Sequence, residues 1–430
     1  MKSHHYKDIN EELISEKLSN GLQVFLLPKK ELSKTYAIFS TNYGSVDLSF
    51  VPRNKENAVT VPEGVAHFLE HKLFEKEDHD VFADFSKQGA SANAFTSFTT
   101  TAYLFTATNQ IEKNVETLLN FVQEPYFSDA SVEKEKGIIG QEITMYDDQP
   151  DWRVFMGTLK NLFHDHPAKT DIAGTIDSIA KITKDDLYEC YNTFYHPDNM
   201  TLFIAGNFDK EKIMNLIKEN QLTKEFEPPA QIKRIVPHEP NNVFKKEYTL
   251  TMPVTRPKCS VGIKSNADYH AGKDADSYLF QDLVQSMVLD YYFSEGGTFY
   301  QQLYKEGVID NSFYFETNIE KGFGYAIIGS NTSEPDKFSE RVKEMLLSIK
   351  EKKISSEDFE RMKKKQIGHV LHAMNSIEFI AKKYIHYHTL GVDFLTIIPS
   401  IQSLSHSEVS VYVKDWISED QLTTFKIIAE

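Results

Sequence analysis

The residues with the clearest potential for chemistry are His67, Glu70 and His71, which form an H-x-x-E-H motif. In a helix, His67 and His71 lie one turn apart on the same face, where two imidazoles can bind one tetrahedral Zn²⁺. Glu70 projects beside them and could accept a proton from a water whose pKa the metal lowers. The pattern is typical of inverted zincins. The chain has 15 histidines, however, so the motif also arises by chance, and both histidines could be ordinary helix-surface residues.

Zinc in a catalytic site takes three protein ligands and keeps a fourth position open, so a third ligand has to come from elsewhere. Glu135 and Glu142 are candidates because they lie seven residues apart, two turns along one face of a predicted helix. The positions of Ile138, Ile139 and Ile143 predict that the same helix is partly buried. A carboxylate among isoleucines is unusual unless it is paired or binds a metal. The alternative is that both glutamates are solvated surface residues.

The elements that must position these residues follow a repeating order along the chain. The motif lies in a helix predicted over residues 62–74, and the candidate third ligand lies in a helical region over residues 111–194. The proline-rich segment 227–242 is typical of a linker, and beyond it the order of strands and helices repeats. We therefore predict a mixed α+β protein with two tandem homologous domains, residues 1–226 and 243–430.

Short runs of β-branched and aromatic residues predict the strands of both halves. These strands are residues 22–28, 35–41, 92–98, 101–107 and 200–205 in the first half, and 244–250, 259–264, 311–317, 325–329 and 422–428 in the second. Each half therefore has five predicted strands, which is the basis for inferring an internal duplication.

Composition excludes several classes of protein. Hydrophobic residues are 40% of the chain, which is enough for real cores and excludes overall disorder. The formal net charge of −16 would repel phosphate backbones, so we expect no nucleic-acid partner. Two cysteines, Cys190 and Cys259, are too few for a disulfide framework. Neither a signal-like segment nor a membrane-spanning apolar run is visible, so we expect a cytoplasmic protein.

The H-x-x-E-H motif, followed by a helix with two glutamates seven residues apart, resembles the pitrilysin/insulinase family of zinc metallopeptidases, in particular its half-size, processing-peptidase-like branch. The resemblance implies that His67, His71 and Glu142 bind one Zn²⁺ per chain and that Glu70 is the general base. It also implies that Glu135 supports the ligands without binding the metal. For the fold, it implies two domains that are each a mostly antiparallel sheet covered by helices, as in LuxS-like metalloenzymes.

Residues 89–96 (GASANAFT) resemble the strand at the sheet edge where this family binds its substrate. An extended peptide can add to such an edge through main-chain hydrogen bonds, while side-chain pockets set its preference. The resemblance implies that Asn93, Ala94 and Phe95 contact the peptide and that Tyr103 lies near the reacting carbonyl. The expected activity is that of a zinc metalloendopeptidase acting on peptides or unfolded segments.

One stretch of the second half departs from the family pattern. Active members of the family usually carry an Arg and a Tyr in a stretch like L-R-E-x-G-x-x-Y, whereas residues 303–310 read LYKEGVID. Tyr304 replaces the Arg and Asp310 replaces the Tyr. An ionised aspartate cannot donate a hydrogen bond to a developing oxyanion. We therefore expect a heterodimer in which a homologous subunit without zinc supplies the missing pair. The alternative is a non-catalytic scaffold or peptide-binding subunit.

Three other features favour structural roles. His164 and His166 flank an aspartate in a predicted loop, and His369 and His372 share a helix face with no acidic third ligand nearby. Gly296-Gly297 is typical of a turn, because no Lys-Ser/Thr follows it as in a phosphate-binding loop.

Overall fold

The chain folds into three sheets and the helices that cover them, which a computed structural model describes for residues 1–265 and 274–430. The strands of the first half are β1 (Lys2–Tyr6), β2 (Glu11–Lys17), β3 (Gln23–Pro28), β4 (Thr35–Thr41), β5 (Ser49–Val51), β6 (Val59–Thr60), β7 (Ala90–Thr96), β8 (Thr101–Ala107) and β9 (Met200–Gly206). The later strands are β10 (Lys233–Arg234), β11 (Glu247–Thr251), β12 (Lys258–Lys264), β13 (Tyr314–Glu320), β14 (Phe323–Asn331) and β15 (Leu422–Ile428).

The helices fall into two groups. Those of the first half are α1 (Val65–Phe74), α2 (Phe82–Lys87), α3 (Ile111–Gln123), α4 (Asp129–Asp147), α5 (Pro150–Leu162), α6 (Ile176–Ile179), α7 (Lys184–Phe194) and α8 (Lys210–Leu222). Those of the second half are α9 (Ala275–Phe293), α10 (Thr298–Lys305), α11 (Pro335–Ser348), α12 (Ser356–Ala373), α13 (Ile377–Thr389), α14 (Ile397–Ser403) and α15 (His406–Trp416). Across the described ranges, no helix has the length and apolar character needed to cross a membrane.

The main sheets of the two halves share one topology. The first sheet has the order β1-β2-β3-β9-β4-β8-β7 and the second has β11-β15-β12-β14-β13, while β10-β5-β6 form a small third sheet. In the first sheet β3 pairs parallel with β9, and in the second sheet β11 pairs parallel with β15. Apart from β1 and β2, all other neighbouring strands of the two main sheets are antiparallel. The expected α+β fold with two mostly antiparallel, homologous units is therefore confirmed, while the domain boundaries at 226 and 243 stay predictions.

The first sheet has two strands that the sequence did not predict. The β1–β2 hairpin extends the sheet beyond β3, and most of β1 is exposed to solvent. Its residues, KSHHY, are polar and show no alternation of apolar and polar side chains, so the pattern that reveals a half-buried strand is absent. The corresponding edge strand of the second sheet, β11, pairs only with β15 within the described residues.

Each half places a helix on the sheet of the other half. Helix α5 of the first half packs on β12 and β15, where Thr158 Oγ1 lies 2.6 Å from Ser260 Oγ. Gly157 is required at this crossing, because a Cβ there would approach the Phe425 ring to 2.2 Å. In return, helix α13 packs on β4 and β9, and the Tyr384 ring lies 4.8 Å from that of Phe203. The two halves therefore share a continuous hydrophobic core.

Helix α1, which carries the H-x-x-E-H motif, begins at Val65 rather than at the predicted Pro62. Gly64 precedes it with a φ of 88°, a left-handed conformation that suits glycine and that stops the helix from extending backward. A side chain at Gly64 would also collide with the Ala173 carbonyl oxygen at 2.4 Å. The start of α1 is thus held against the loop that follows α5.

Candidate metal centre and peptide-binding edge

The two histidines lie on a helix whose other side is anchored in the core. Phe68 and Leu69 of α1 are fully buried, and this burial fixes the rotation of the helix about its axis. His67 and His71 then lie on the opposite, partly exposed side, with ring centroids 4.6 Å apart. The predicted one-turn pairing of the two imidazoles is present in the structure.

Helix α4 brings the glutamates to these histidines. Its N-terminus is capped by Ser128, and Ile139 and Ile143 are buried against the first-half core as expected. Ile138 is an exception to the predicted burial, since 46% of it is exposed. It lies one residue from Ile139 and therefore on another side of the helix. Glu135 and Glu142 lie on the side of α4 that faces α1, where they approach His67 and His71.

Glu142 faces both imidazoles at distances that suit a shared metal ion. Its carboxylate oxygens lie 3.7 Å from His67 Nε2 and 3.5 Å from His71 Nε2. These distances exceed those of hydrogen bonds. They match the separation of roughly 3.4 Å between ligands that bind one tetrahedral zinc with bonds of about 2.1 Å. Ligand atoms of the three residues all lie within 4.8 Å of one another, so the donor set fits Zn²⁺.

Glu135 orients one of the candidate ligands. It is buried, and its Oε1 lies 3.0 Å from His71 Nδ1. The carboxylate accepts a hydrogen bond from the His71 Nδ1–H group, which leaves the Nε2 lone pair free to face Glu142. Lys72 Nζ lies 4.0 Å from the other oxygen of Glu135 and also pairs with Glu75. The predicted supporting position of Glu135 agrees with this geometry.

The ionisable groups of this cluster have shifted pKa values. Burial lowers the pKa of His67 to about 3, with a further contribution from His71, so the His67 imidazole is neutral and available as a ligand near pH 7. Burial also lowers the pKa of His71, but the Glu135 hydrogen bond and nearby carboxylates outweigh it and raise that pKa. Burial raises the pKa of Glu70 to about 6, although a hydrogen bond from Thr96 opposes the change.

Glu70 is held beside the candidate ligands by the neighbouring strand. The Thr96 hydroxyl, at the end of β7, donates to Glu70 Oε2 at 2.6 Å. Because Glu70 Oε2 accepts this hydrogen bond from Thr96, Glu70 Oε1 is the oxygen that is free to accept a proton. Thr96 was not singled out from the sequence, since a lone threonine in a strand carries no spacing signal.

Strand β7 forms the edge of the first sheet next to this cluster. It is hydrogen-bonded to β8 only, among the residues that the structure describes. Ala94 and Phe95 line the cleft at the candidate ligands, and the Phe95 ring also lies 5.6 Å from Lys382 Nζ. Asn93 is exposed on the edge, where its Oδ1 accepts a hydrogen bond from the Ala94 N–H at 2.8 Å. The expected edge strand is present, and peptide binding there stays a prediction.

Tyr103 does not occupy the predicted position at the reacting carbonyl. Its side chain is fully buried, and its hydroxyl lies 2.8 Å from that of Tyr195. Its ring packs against Phe74 of α1 and Phe121 of α3 in the first-half core. In this structure the expectation of a substrate contact is wrong, because α1 and α3 cover this face of β8.

Comparison with known proteins identifies the family. The model "Insulinase (Peptidase family M16)" matches residues 58–176, and the model "Peptidase M16 inactive domain" matches residues 181–366. The uncharacterized zinc protease YmfH of Bacillus subtilis is 49% identical over 428 residues, which are 100% of this chain and 99% of that protein. This chain belongs to the M16 family of peptidases. The candidate ligands all fall within the insulinase match.

Solved structures support the same assignment. A putative M16-like peptidase from Alicyclobacillus acidocaldarius is 38% identical, with a TM-score of 0.93 over 98% of this chain and 99% of that one. The periplasmic protease PqqL of Escherichia coli, at 17% identity and a TM-score of 0.74, shares the fold over 100% of this chain but only 48% of its own length. Membership in the half-size branch of the family is therefore confirmed.

The cleft of this M16 chain at the candidate ligands has a volume of about 270 Å³. All of its lining residues among those described come from the first half of the chain. Tyr304, at the position of the expected arginine, is 54% exposed. Asp310, at the position of the expected tyrosine, pairs with Arg256 and accepts a hydrogen bond from the Ser312 N–H at 2.8 Å. Neither residue lines the cleft.

Besides Thr96, the residues of the M16 cleft that the sequence did not indicate are Tyr146, Trp152, Asp171, Ile172 and Ala173. Tyr146 follows Glu142 by one helical turn, a spacing that could have revealed it. The Tyr146 and Trp152 rings lie 5.2 Å apart, and Trp152 Nε1 donates to Asp171 Oδ2 at 2.5 Å. No spacing signal connects Asp171 to the motif, because it lies in the loop after α5.

The remaining histidine candidates lie outside the cleft. The backbone N–H groups of His164, Asp165 and His166 all donate to the Glu239 carboxylate, and His166 is buried rather than at the loop surface. His369 and His372 are exposed on α12. Gly297 precedes α10 in a turn, which agrees with the predicted turn at this position.

Proposed function

We propose that this chain is a zinc-dependent metalloendopeptidase that cleaves peptides or unfolded segments. One observation carries the proposal: Glu142 lies at 3.5 and 3.7 Å from two imidazole nitrogens, too far for hydrogen bonds and at the right distance for a shared metal. Glu70 and an open strand edge lie beside that set. The names of the relatives as zinc proteases support the same conclusion.

Zinc bound by His67, His71 and Glu142 would supply a Lewis acid that polarises a carbonyl and makes a water easier to deprotonate. Glu70 would accept a proton from water in the cleft at Oε1 and later deliver it to the leaving amine. Thr96 keeps this carboxylate in position through its hydrogen bond to Oε2.

The substrate in this proposal is an extended peptide that adds to β7. An edge strand offers its free backbone N–H and C=O groups, which bind a peptide of almost any sequence by main-chain hydrogen bonds. Ala94 and Phe95 would then lie along the peptide next to the scissile bond, and Asn93 would be available at the outer edge. Peptides and unfolded segments have free backbone groups that can add to such an edge, which is why we propose them as substrates.

We further propose that a homologous subunit without zinc completes the site as a heterodimer. The support is that Tyr304 and Asp310 replace the expected Arg and Tyr and that the described second half contributes nothing to the cleft lining. A homodimer would bring the same two residues and would lack the pair. The non-catalytic scaffold or peptide-binding subunit is the competing function, and the intact ligand and base set argues against it.

Cleavage of a mixed peptide library by the purified chain at known zinc occupancy tests this proposal. We expect zinc binding with little cleavage by the chain alone, and chelator-sensitive cleavage once a related subunit carrying the Arg/Tyr pair is added. Robust cleavage by the chain alone would contradict the heterodimer while supporting the peptidase. Absence of cleavage with every candidate subunit would favour the scaffold.

A further inference from the structure

Lys72 is a buried cation in helix α1. Its side chain is 0% exposed, and it follows the candidate ligand His71 directly in the sequence. The other buried residues of α1 are apolar, and Val65, Phe68 and Leu69 lie on the same side of the helix as Lys72. A lysine is rarely buried to this extent without a partner. The contacts of its ammonium group therefore indicate what it does at a position that suits an apolar side chain.

Lys72 faces two carboxylates, and one of them belongs to the candidate metal centre. Its Nζ forms an ion pair with Glu75 and lies 4.0 Å from Glu135 Oε2. The Glu75 side chain is 33% exposed and is solvated by water, whereas the Glu135 side chain is only 9% exposed. Glu135 therefore depends on a nearby cation more than Glu75 does, because the protein interior screens charge weakly.

The Glu135 carboxylate has a different partner at each of its oxygens. Oε1 accepts a hydrogen bond from the His71 Nδ1–H group at 3.0 Å, and Oε2 faces the Lys72 ammonium group. Among the described residues, these two are its polar partners. Contacts at both oxygens fix the plane of the carboxylate. That plane in turn fixes the direction in which the His71 Nε2 lone pair faces Glu142.

We propose that Lys72 is a positioning residue for the metal centre and that it orients His71 through Glu135. The inference rests on the proposed function, since this role requires that zinc binds at the candidate ligands. The competing interpretation is that the Lys72–Glu75 pair only stabilises the end of α1, because residues three apart on a helix are neighbours. The two interpretations differ in whether the effect of Lys72 on zinc binding depends on Glu135.

Zinc affinity in a double-mutant cycle tests the inference without a cleavage assay. The dissociation constant is measured by competition with a chromophoric chelator for the full chain, Lys72→Met, Glu135→Gln and the double variant. Methionine suits the apolar side of α1, and thermal unfolding of each metal-free chain checks folding. We expect Lys72→Met to weaken zinc binding by about tenfold, as for residues that orient metal ligands. Loss of a positive charge alone would tighten binding of a cation, so weaker binding identifies the orientation effect.

Three further comparisons decide between the two interpretations. Because Lys72 acts through Glu135, the double variant should bind zinc no more weakly than Glu135→Gln alone. Glu75→Gln breaks only the pair at the end of α1 and should change zinc affinity by less than about twofold. Lys76→Met is the matched control and should leave zinc affinity unchanged. Lys76 is half-buried near the end of α1, but it donates to the Phe121 carbonyl oxygen of α3 at 2.8 Å.

The outcomes that would overturn the inference are specific. They are unchanged or tighter zinc binding in Lys72→Met, a further loss of affinity in the double variant, or a loss in Glu75→Gln as large as in Lys72→Met. If Lys72→Met does not fold, a tenfold loss in Glu75→Gln still overturns the inference. A wild-type chain that binds no zinc would contradict the proposed function itself, whereas zinc binding that does not depend on Lys72 would contradict only this inference.

Discussion

Replacing Glu70 by glutamine should abolish peptide cleavage while the chain still binds one zinc ion. Glutamine has nearly the same shape as glutamate, and its amide oxygen can still accept the hydrogen bond that Thr96 donates. It cannot accept a proton from water, however, and loss of a general base lowers rates by about 10²- to 10⁴-fold. The measurement is kcat/KM for a cleaved peptide in the active assembly, together with the zinc content of the purified variant.

Glu133→Gln on helix α4 is a suitable control for this change. Glu133 has an exposed carboxylate that pairs with Lys136, and it does not line the cleft. We expect this variant to keep wild-type activity. Retention of more than about a tenth of the activity in the Glu70 variant would contradict the assigned role. An unchanged biological activity with cleavage lost would favour the scaffold function.

Replacing Glu239 by alanine should destabilise the protein by about 3–5 kcal/mol, because it leaves a buried lysine without its partner. The Lys264 and Glu239 side chains are only 1% and 5% exposed and form an ion pair. The Glu239 carboxylate also accepts the backbone N–H groups of residues 164–166, so it ties the segment between the halves to both of them. The free energy of unfolding by urea denaturation measures the effect.

Two further variants serve as a control and as a rescue for the Glu239 change. Asp151→Ala breaks the Lys258–Asp151 pair, whose aspartate is 87% exposed, and should cost less than about 1 kcal/mol. Adding Lys264→Met to the Glu239 variant should recover part of the loss, because no buried charge then stays unpaired. A loss below about 1 kcal/mol in the Glu239 variant would show that this contact contributes little to holding the halves together.

The Lys264–Glu239 pair also predicts how the free energy of unfolding changes at acid pH. Burial alone raises the pKa of Glu239, but the Lys264 hydrogen bond and the backbone N–H groups outweigh it and hold that pKa below its ordinary value of 4.5. The unfolded state therefore binds the proton more readily, so the contribution of Glu239 is present above pH 4.5. That contribution is lost as the pH falls through the lowered pKa.

The sequence predicted the ligand cluster because helical spacing brings residues together reliably. His67 and His71 are four residues apart in one helix, and Glu135 and Glu142 are seven apart in another, so each pair shares a face whatever the rest of the fold does. The succession of strands along the two halves was also predicted in part, since buried strands carry dense runs of β-branched and aromatic residues.

Features that depend on distant packing were not predictable in this way. Tyr103 is buried because α1 and α3 pack on its face of β8, and nothing within the Tyr103 segment shows which face of the strand these helices cover. Helices α5 and α13 each pack on the sheet of the other half, so the surfaces that meet are far apart in the sequence.

The central claim is that this M16 chain holds one catalytic zinc ion at His67, His71 and Glu142. Anomalous diffraction at the zinc absorption edge, from crystals of the zinc-loaded chain, tests it most directly. We expect one peak per chain between the two Nε2 atoms and the Glu142 carboxylate, and no such peak in crystals of a Glu142→Ala variant. A chain that takes up no zinc, or a peak only at other histidines, would contradict the account.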